Sequence, residues 1–398
     1  MAPYESEDSQ GSGSRRKVAR YAVPVAVLGV AAATIGLVPA LADSGDPDLP
    51  KITAQELIER IAKSDTEQLS GTVKIHTDLG LPALGGAASG LTGGGKGSSS
   101  ADPQEKLTEL ATGTHTLRVA ADGQDRQKLS ILDDASEYSV IHDGADVWAY
   151  DSKSDEAYHA KDAQVSGDRA QKRPAKMPAT PKELTDAILK ASGSTTSFTV
   201  DGTAQIAGRD AYRLQIKPKQ SGSTVGAITV SVDAETGTPL KFTLTPASGG
   251  AAVVDAGFTK VDFARPAAST FDFKPSKGTK VTEADELEKQ GGDRAARAPK
   301  GAADLEGLNV IGKGWTSVAE LKLPGDSDVA GLASGSASSG MPADAQQFLN
   351  SLGSKVTGKF GSGTVYSTRL VNVLITEDGK VYAGAVTQDA LVKAADAG

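Results

Sequence analysis

Four histidines, a scatter of carboxylates and two glycine-rich runs are the residues of this 398-residue chain that invite a chemical reading. None of His76, His115, His142 and His159 has a second histidine four residues along, or the flanking glutamate of a helical zinc site. His76 and His142 fall in strand-like registers, where a histidine turned to solvent accounts for them. Gly-x-x-x-x-Gly-Lys occurs at 90–96 and at 307–313, but Gly97 and Gly314 stand where a phosphate-binding loop needs its magnesium-holding Ser or Thr. No Gly-x-Ser-x-Gly elbow presents a nucleophile. Asp151, Asp155 and Glu156 lack the spacing and glycine of a calcium loop. Cysteine is absent, which removes disulfides, thiolate chemistry and a lipid-modified N-terminal cysteine. The chain therefore reads as non-enzymatic, with no cofactor and no metal. Its 42 basic and 50 acidic residues give a net charge of −8, and no basic stripe with interleaved aromatics offsets it, so nucleic acid is excluded as a partner.

The elements that must position any site begin with an apolar run. Arg15, Arg16, Lys17 and Arg20 end a polar leader (1–20) and precede residues 21–42, which close Val-Pro-Ala-Leu-Ala. Basic lead, apolar stretch and small residues at Ala40 and Ala42 are the order of a cleaved export signal. About 20 apolar residues also suffice for one membrane span. Both readings keep the basic residues inside and send the rest outward. The expected location is extracytoplasmic, anchored to the cell membrane through this segment, or secreted if it is cut.

After a short tether, Thr53 and Glu56 form a capping box, with Ile52 and Leu57 at the staple positions. Leu57, Ile58, Ile61 and Ala62 share one stripe, so this helix packs on something. From Leu69 to Leu79 apolar and polar residues alternate, the mark of a strand with one dry face. Residues 80–102 are Gly/Ser/Ala-rich and read as a long loop. Strands are expected over 114–120, 126–132, 138–142 and 147–150, the last pair joined at Asp143-Gly144. A basic loop follows at 161–176, then a second capped helix from Thr180 with Pro181 and Glu183. Strands resume over 197–200, 204–206, 211–216, 227–232, 240–245, 253–254 and 257–263, and Phe271 and Phe273 close this part. A charged linker (278–304) leads to a C-terminal β extension (305–398), expected to pack on the same sheet. It carries a Gly/Ser run at 331–340, a helix at 343–352, a hairpin around Glu377-Asp378-Gly379 and a terminal helix from Thr387. The fold class is mainly β (α+β), antiparallel, with a few covering helices.

Apolar and aromatic side chains remain as site candidates: Val73, Ile75, Val140, Trp148, Tyr150, Tyr212, Leu214, Ile216, Phe242, Leu244 and Phe258. Ordinary core explains any one of them. A sheet curved over helices offers the other reading, a concave apolar cavity for a ligand.

Ser70-Gly71-Thr72-Val73, the run Asp143 to Asp151 around Trp148, Thr180-Pro181-x-Glu183-Leu184, Ala207 to Leu214, Val232 to Leu240 and Val261-Asp262-Phe263 occur in an order that resembles the actinobacterial branch of the LolA-like, lipoprotein-sorting superfamily. The set is also similar to sigma-factor regulators of the RseB and MucB kind, and it covers most of 52–277. The resemblance implies a strongly curved antiparallel sheet, an incomplete barrel lidded by helices. It implies a lipid or lipoprotein acyl chain as partner, or else an envelope protein such as an anti-sigma factor, and it brings no catalytic residues. The loop at 80–102, the N-terminal apolar segment and the C-terminal extension depart from that pattern, and a tethered chain suits surface binding better than transport.

Overall fold

In the computed structural model the described residues are 46–80, 101, 106, 109–110, 112–161, 193–283, 309–322 and 353–398. The expected signal or membrane segment, the Gly/Ser-rich residues 81–100, the helix from Thr180, most of the linker, the run at 331–340 and the helix at 343–352 lie outside them. Among the described residues no helix is long and apolar enough to cross a membrane. Contacts divide the chain into Met1–Asp48, of which only 46–48 are described, and Leu49–Gly398.

Helix α1 (Ala54–Ala62) starts as its cap dictates. The Thr53 hydroxyl accepts from the Glu56 amide at 3.2 Å, and the Glu56 carboxylate accepts from the Thr53 amide at 2.8 Å. That reciprocal bond holds the Glu56 carboxyl below its ordinary range. Leu57 and Ile58 are the residues the helix buries.

Two meanders make the main sheet. Strands β1 (Gln68–Thr77), β2 (Gly113–Asp122), β3 (Arg126–Leu132), β4 (Glu137–Asp143), β5 (Asp146–Asp151) and β6 (Glu156–Lys161) run up and down in chain order. Strands β7 (Thr196–Ile206), β8 (Arg209–Pro218), β9 (Val225–Asp233), β10 (Pro239–Pro246) and β11 (Val254–Asp262) do the same and return to lay β11 antiparallel against β1. A short β12 (Lys280–Glu283) then joins β6 in parallel. The spatial order is β12-β6-β5-β4-β3-β2-β1-β11-β10-β9-β8-β7, so the β1–β11 pair is a seam between the meanders. The sheet is curved and does not close: β7 and β12 stand at opposite edges. Bulges at Thr72/Val73 and Val200/Thr203 add local twist, and β7 comes within 8 Å of β11 (Cα to Cα) although three strands separate them.

The C-terminal extension adds no strand to this sheet among the described residues, yet it belongs to the same compact unit, Leu49–Gly398. Strands β13 (Asn309–Ile311), β14 (Val318–Lys322), β15 (Gly353–Gly358), β16 (Gly361–Ser367), β17 (Asn372–Thr376) and β18 (Lys380–Gly384) form a second sheet, ordered β13-β14-β18-β17-β16-β15. The physical reason is a core of its own. Helix α2 (Gln388–Ala395), capped by Thr387, buries Leu391 and Ala395 against Val318, Val365, Leu374, Tyr382 and Val386.

Loops tie the sheets together. Trp315 donates its indole N–H to the Thr196 hydroxyl at 2.8 Å and its amide to the Gln220 side chain at 2.9 Å. Ser223 bridges Val386. Arg369 donates to the Asp78 carboxylate and to the Ala251 carbonyl. Gly80, at φ +70°, leaves room for that arginine, since a Cβ there would lie 2.6 Å from its Cγ. Arg369→Ala is therefore expected to quicken amide exchange at 79–80 and 251–253 while leaving the α2 core protected. Equal loosening of both regions, read by hydrogen exchange, would contradict this docking role.

Candidate functional site

Strand alternation decides which candidates can share a surface. Leu214, Val230, Phe242, Ala256 and Ile75 are register partners from β8 through β9, β10 and β11 to β1. Ile216, Ile228, Leu244 and Val254 form the next rung. Phe258 pairs with Val73, which pairs with Leu117. Val140 joins the same face through Val119 and Leu129. Nine of the eleven candidates thus lie on one apolar face that crosses the seam.

Trp148 and Tyr150 do not belong with them, which corrects their grouping. They alternate with Ala149, whose neighbours are Val140 and Tyr158, and so turn to the opposite face. There the chain after β11 covers them: Phe273 sits 5.4 Å from Trp148 and 5.2 Å from Tyr150, ring centre to ring centre, while Phe271 is buried with Ala120 and Ile141. Parity along β5 was the signal that separates them; aromatic character alone obscured it.

The apolar face is covered at both ends. At one, Leu57 and Ile58 of α1 pack with Tyr212, Leu214 and Val232, and Ile216 and Phe198 border the cluster. The Tyr212 hydroxyl donates to the Pro50 carbonyl at 2.9 Å. At the other end Val73, Ile75 and Val140 pack with Leu117, Ile131, Tyr138 and Ala149. Tyr138 donates to the Ala101 carbonyl at 3.1 Å and Thr77 to the Leu110 carbonyl at 3.0 Å, so Ala101 and Leu110 lie against this end. Between the covers, Phe242 and Phe258 are half-buried and belong to neither cluster, and Leu244 is buried beside them.

What holds α1 in place is a knot at the β9–β10 turn. The Asp233 side chain is 1% exposed and accepts from Arg209 at 2.7 and 3.0 Å, from the amides of Glu235 and Thr236, and from the Thr236 hydroxyl. Burial pushes its carboxyl up, but the Arg209 and Thr236 hydrogen bonds outweigh that and hold it below the ordinary range. The hydrogen bonds to Asp233 and Glu235 in turn raise the Arg209 guanidinium. The turn so fixed offers the Ala234 carbonyl to Arg60 of α1 at 2.5 Å, and Arg60 also lies over the Tyr212 ring, 5.6 Å from its centre.

The polar candidates do not converge. His76 bonds the Thr114 hydroxyl and His115 the Thr112 carbonyl. His159 stacks on Trp148 at 4.0 Å, with its two ring nitrogens 2.8 Å from Asp146 and Glu283. It thereby straps β12 to the sheet edge. The Gly312-Lys313-Gly314 run is a docking turn: the Lys313 carbonyl accepts from Gln220. No cluster of three metal-ligating side chains occurs among the described residues. An open groove of about 900 Å³ runs beside α1, and a hollow of about 430 Å³ lies on the polar face of the seam.

No family model and no curated protein matches this sequence. Among solved structures, the chain is similar to one in the Pseudomonas aeruginosa MucA/MucB complex, with 15% identity over 86% of this chain and 96% of that one, and a TM-score of 0.39. It is also similar to a LolA superfamily protein from Nitrosomonas europaea (10% identity, 56% and 99% covered, TM-score 0.21). A third likeness is to a putative outer membrane lipoprotein-sorting protein domain from Vibrio parahaemolyticus (12% identity, 55% and 95% covered, TM-score 0.21).

Proposed function

We propose that this chain is a non-enzymatic, extracytoplasmic binding protein that holds a lipid or lipoprotein acyl chain along the seam of its sheet. The observation that carries the reading is the middle of the apolar face, where the half-buried Phe242 and Phe258 belong to neither packed end. Each methylene taken from water there contributes about 0.8 kcal/mol, so burying about ten of them contributes about 8 kcal/mol, enough for an affinity in the micromolar range. Anchorage through residues 21–42 would keep the seam at the outer membrane surface of the cell that exports it.

A fluorescent fatty acid titrated into the purified chain tests this. Saturable binding is expected, and Phe242→Asp should weaken it by at least about tenfold, because a carboxylate in an apolar contact carries an uncompensated desolvation cost. No binding by the unaltered chain, or equal binding by the variant, would remove the acyl-chain reading.

One observation favours an envelope-protein partner instead. β7 is an 11-residue edge strand whose far side carries no strand among the described residues, and a partner segment can extend such an edge. On that reading the partner protects the amides of β7 from exchange and the fatty acid does not.

A further inference from the structure

The second face of the seam carries a site of different chemistry. We propose that the hollow of about 430 Å³ on this polar face binds a phosphate group, with Lys74 and Lys241 as its two cationic walls. The register builds it. Gly257 of β11 is the partner of Lys74 on β1 and of Lys241 on β10, so a glycine floor lies between two lysines. Those lysines stand about 10 Å apart at Cα, two strand spacings. Both side chains are long enough to lean over the floor toward one tetrahedral anion.

Local packing sets the walls. Lys241 lies along the space that a side chain at 257 would fill: a Cβ there would meet its Cγ at 3.0 Å and Cδ at 3.2 Å. Its ammonium is held 2.9 Å from Asp255, which fixes its direction. The Lys74 side chain has no hydrogen-bond or ion-pair partner among the described residues. It is the group a phosphate would satisfy. His76, the register partner of Asp255, is fixed by the Thr114 hydroxyl at 2.8 Å and adds a further polar wall. The roof is the β7–β8 turn, where Ala207 takes φ +53° and, with Gly208 at +78°, makes the tight reversal that sets the turn over the floor. In a chain of net charge −8, two lysines against one carboxylate make a local positive hollow. Lysine suits phosphate as a point charge, and the contacts are charge-assisted.

The phosphate has two sources, free or on a lipid headgroup, and the test separates them. Purified full-length chain is titrated by calorimetry with inorganic phosphate and, separately, with glycerophosphoglycerol, the water-soluble headgroup of a phosphatidylglycerol. Saturable binding of either is expected, falling by at least about tenfold in Lys74→Gln and in Lys241→Gln. Tighter binding of glycerophosphoglycerol assigns the site to a lipid headgroup, and tighter binding of inorganic phosphate assigns it to the free ion. Lys74→Gln breaks no side-chain hydrogen bond or ion pair among the described residues, so its melting temperature without ligand should match the unaltered chain. That match separates lost binding from lost folding. No saturable binding of either probe, or binding that both variants leave unchanged, overturns the site. Because it lies on the opposite face from Phe242, Phe242→Asp should leave phosphate binding intact.

Discussion

Asp233→Ala is expected to destabilise the main sheet by about 3 kcal/mol and to release α1 from it. Removing one partner of a buried ion pair costs about 3–5 kcal/mol, because the other charge stays buried without compensation. Arg209 is 29% exposed and keeps Glu235 at 2.8 Å, which places this case at the lower end. The two turn amides that Asp233 accepts from add to the loss when they become unsatisfied. For a unit of this size the melting temperature should fall by about 5 °C. The consequence for function follows from position: the knotted turn presents the Ala234 carbonyl to Arg60, so its loss frees the helix that covers Tyr212, Leu214 and Ile216. Exchange in α1 should rise first, and fatty-acid binding should change with it.

The same residue sets a pH dependence. The folded carboxyl of Asp233 lies below its unfolded value. Its contribution is therefore present at neutral pH, begins to be lost as pH falls below the unfolded value near 4, and is gone once pH has fallen through the folded value. Asp233→Asn, which keeps one acceptor without the charge, should lose less stability than alanine and flatten the acid limb of the stability curve. An acid limb unchanged in Asp233→Asn would mean that another carboxylate governs it.

Leu57→Ala carries the second large effect. Leu57 is fully buried where α1 meets Tyr212 and Val232, and truncating such a leucine costs about 2–5 kcal/mol through lost transfer energy and the cavity left behind. A nine-residue helix has little stability of its own. The expected result is selective loss of α1, with the C-terminal sheet and its α2 core retaining their exchange protection. Uniform loss of protection across both sheets would show that α1 is a structural member of the whole unit and no separable cover.

Local chemistry made some of this fold legible. The Thr53/Glu56 box fixed the start of α1 because capping is written in four neighbouring residues. Alternation from Leu69 to Leu79 marked β1, and Asp143-Gly144 marked the β4–β5 turn, with Gly144 at φ +62°. What escaped depends on partners far along the chain. β12 is four residues, Lys-Val-Thr-Glu, inside a stretch that reads as charged linker, and it forms because β6 offers an edge and His159 meets Glu283. β15, Gly-Ser-Lys-Val-Thr-Gly, has almost no apolar pattern and exists by pairing with β16. The candidate site was legible as a set of apolar types, and nine of its eleven members share a face. Separating Trp148 and Tyr150 required the parity of β5 together with Phe273, which no local window contains. The Lys74–Gly257–Lys241 row was hidden for the same reason, since its members come from three strands that only the seam brings together.

The proposed binding surface can be mapped directly. A fatty acid bearing a photoreactive group at its tail, irradiated with the purified chain and followed by peptide mass spectrometry, should label the β10, β11 and β1 peptides that carry Phe242, Phe258 and Ile75. An excess of unlabelled fatty acid should abolish that labelling. Labelling that survives the competitor, or that falls on the polar face and the C-terminal sheet while sparing these three strands, would contradict an acyl chain held on the seam.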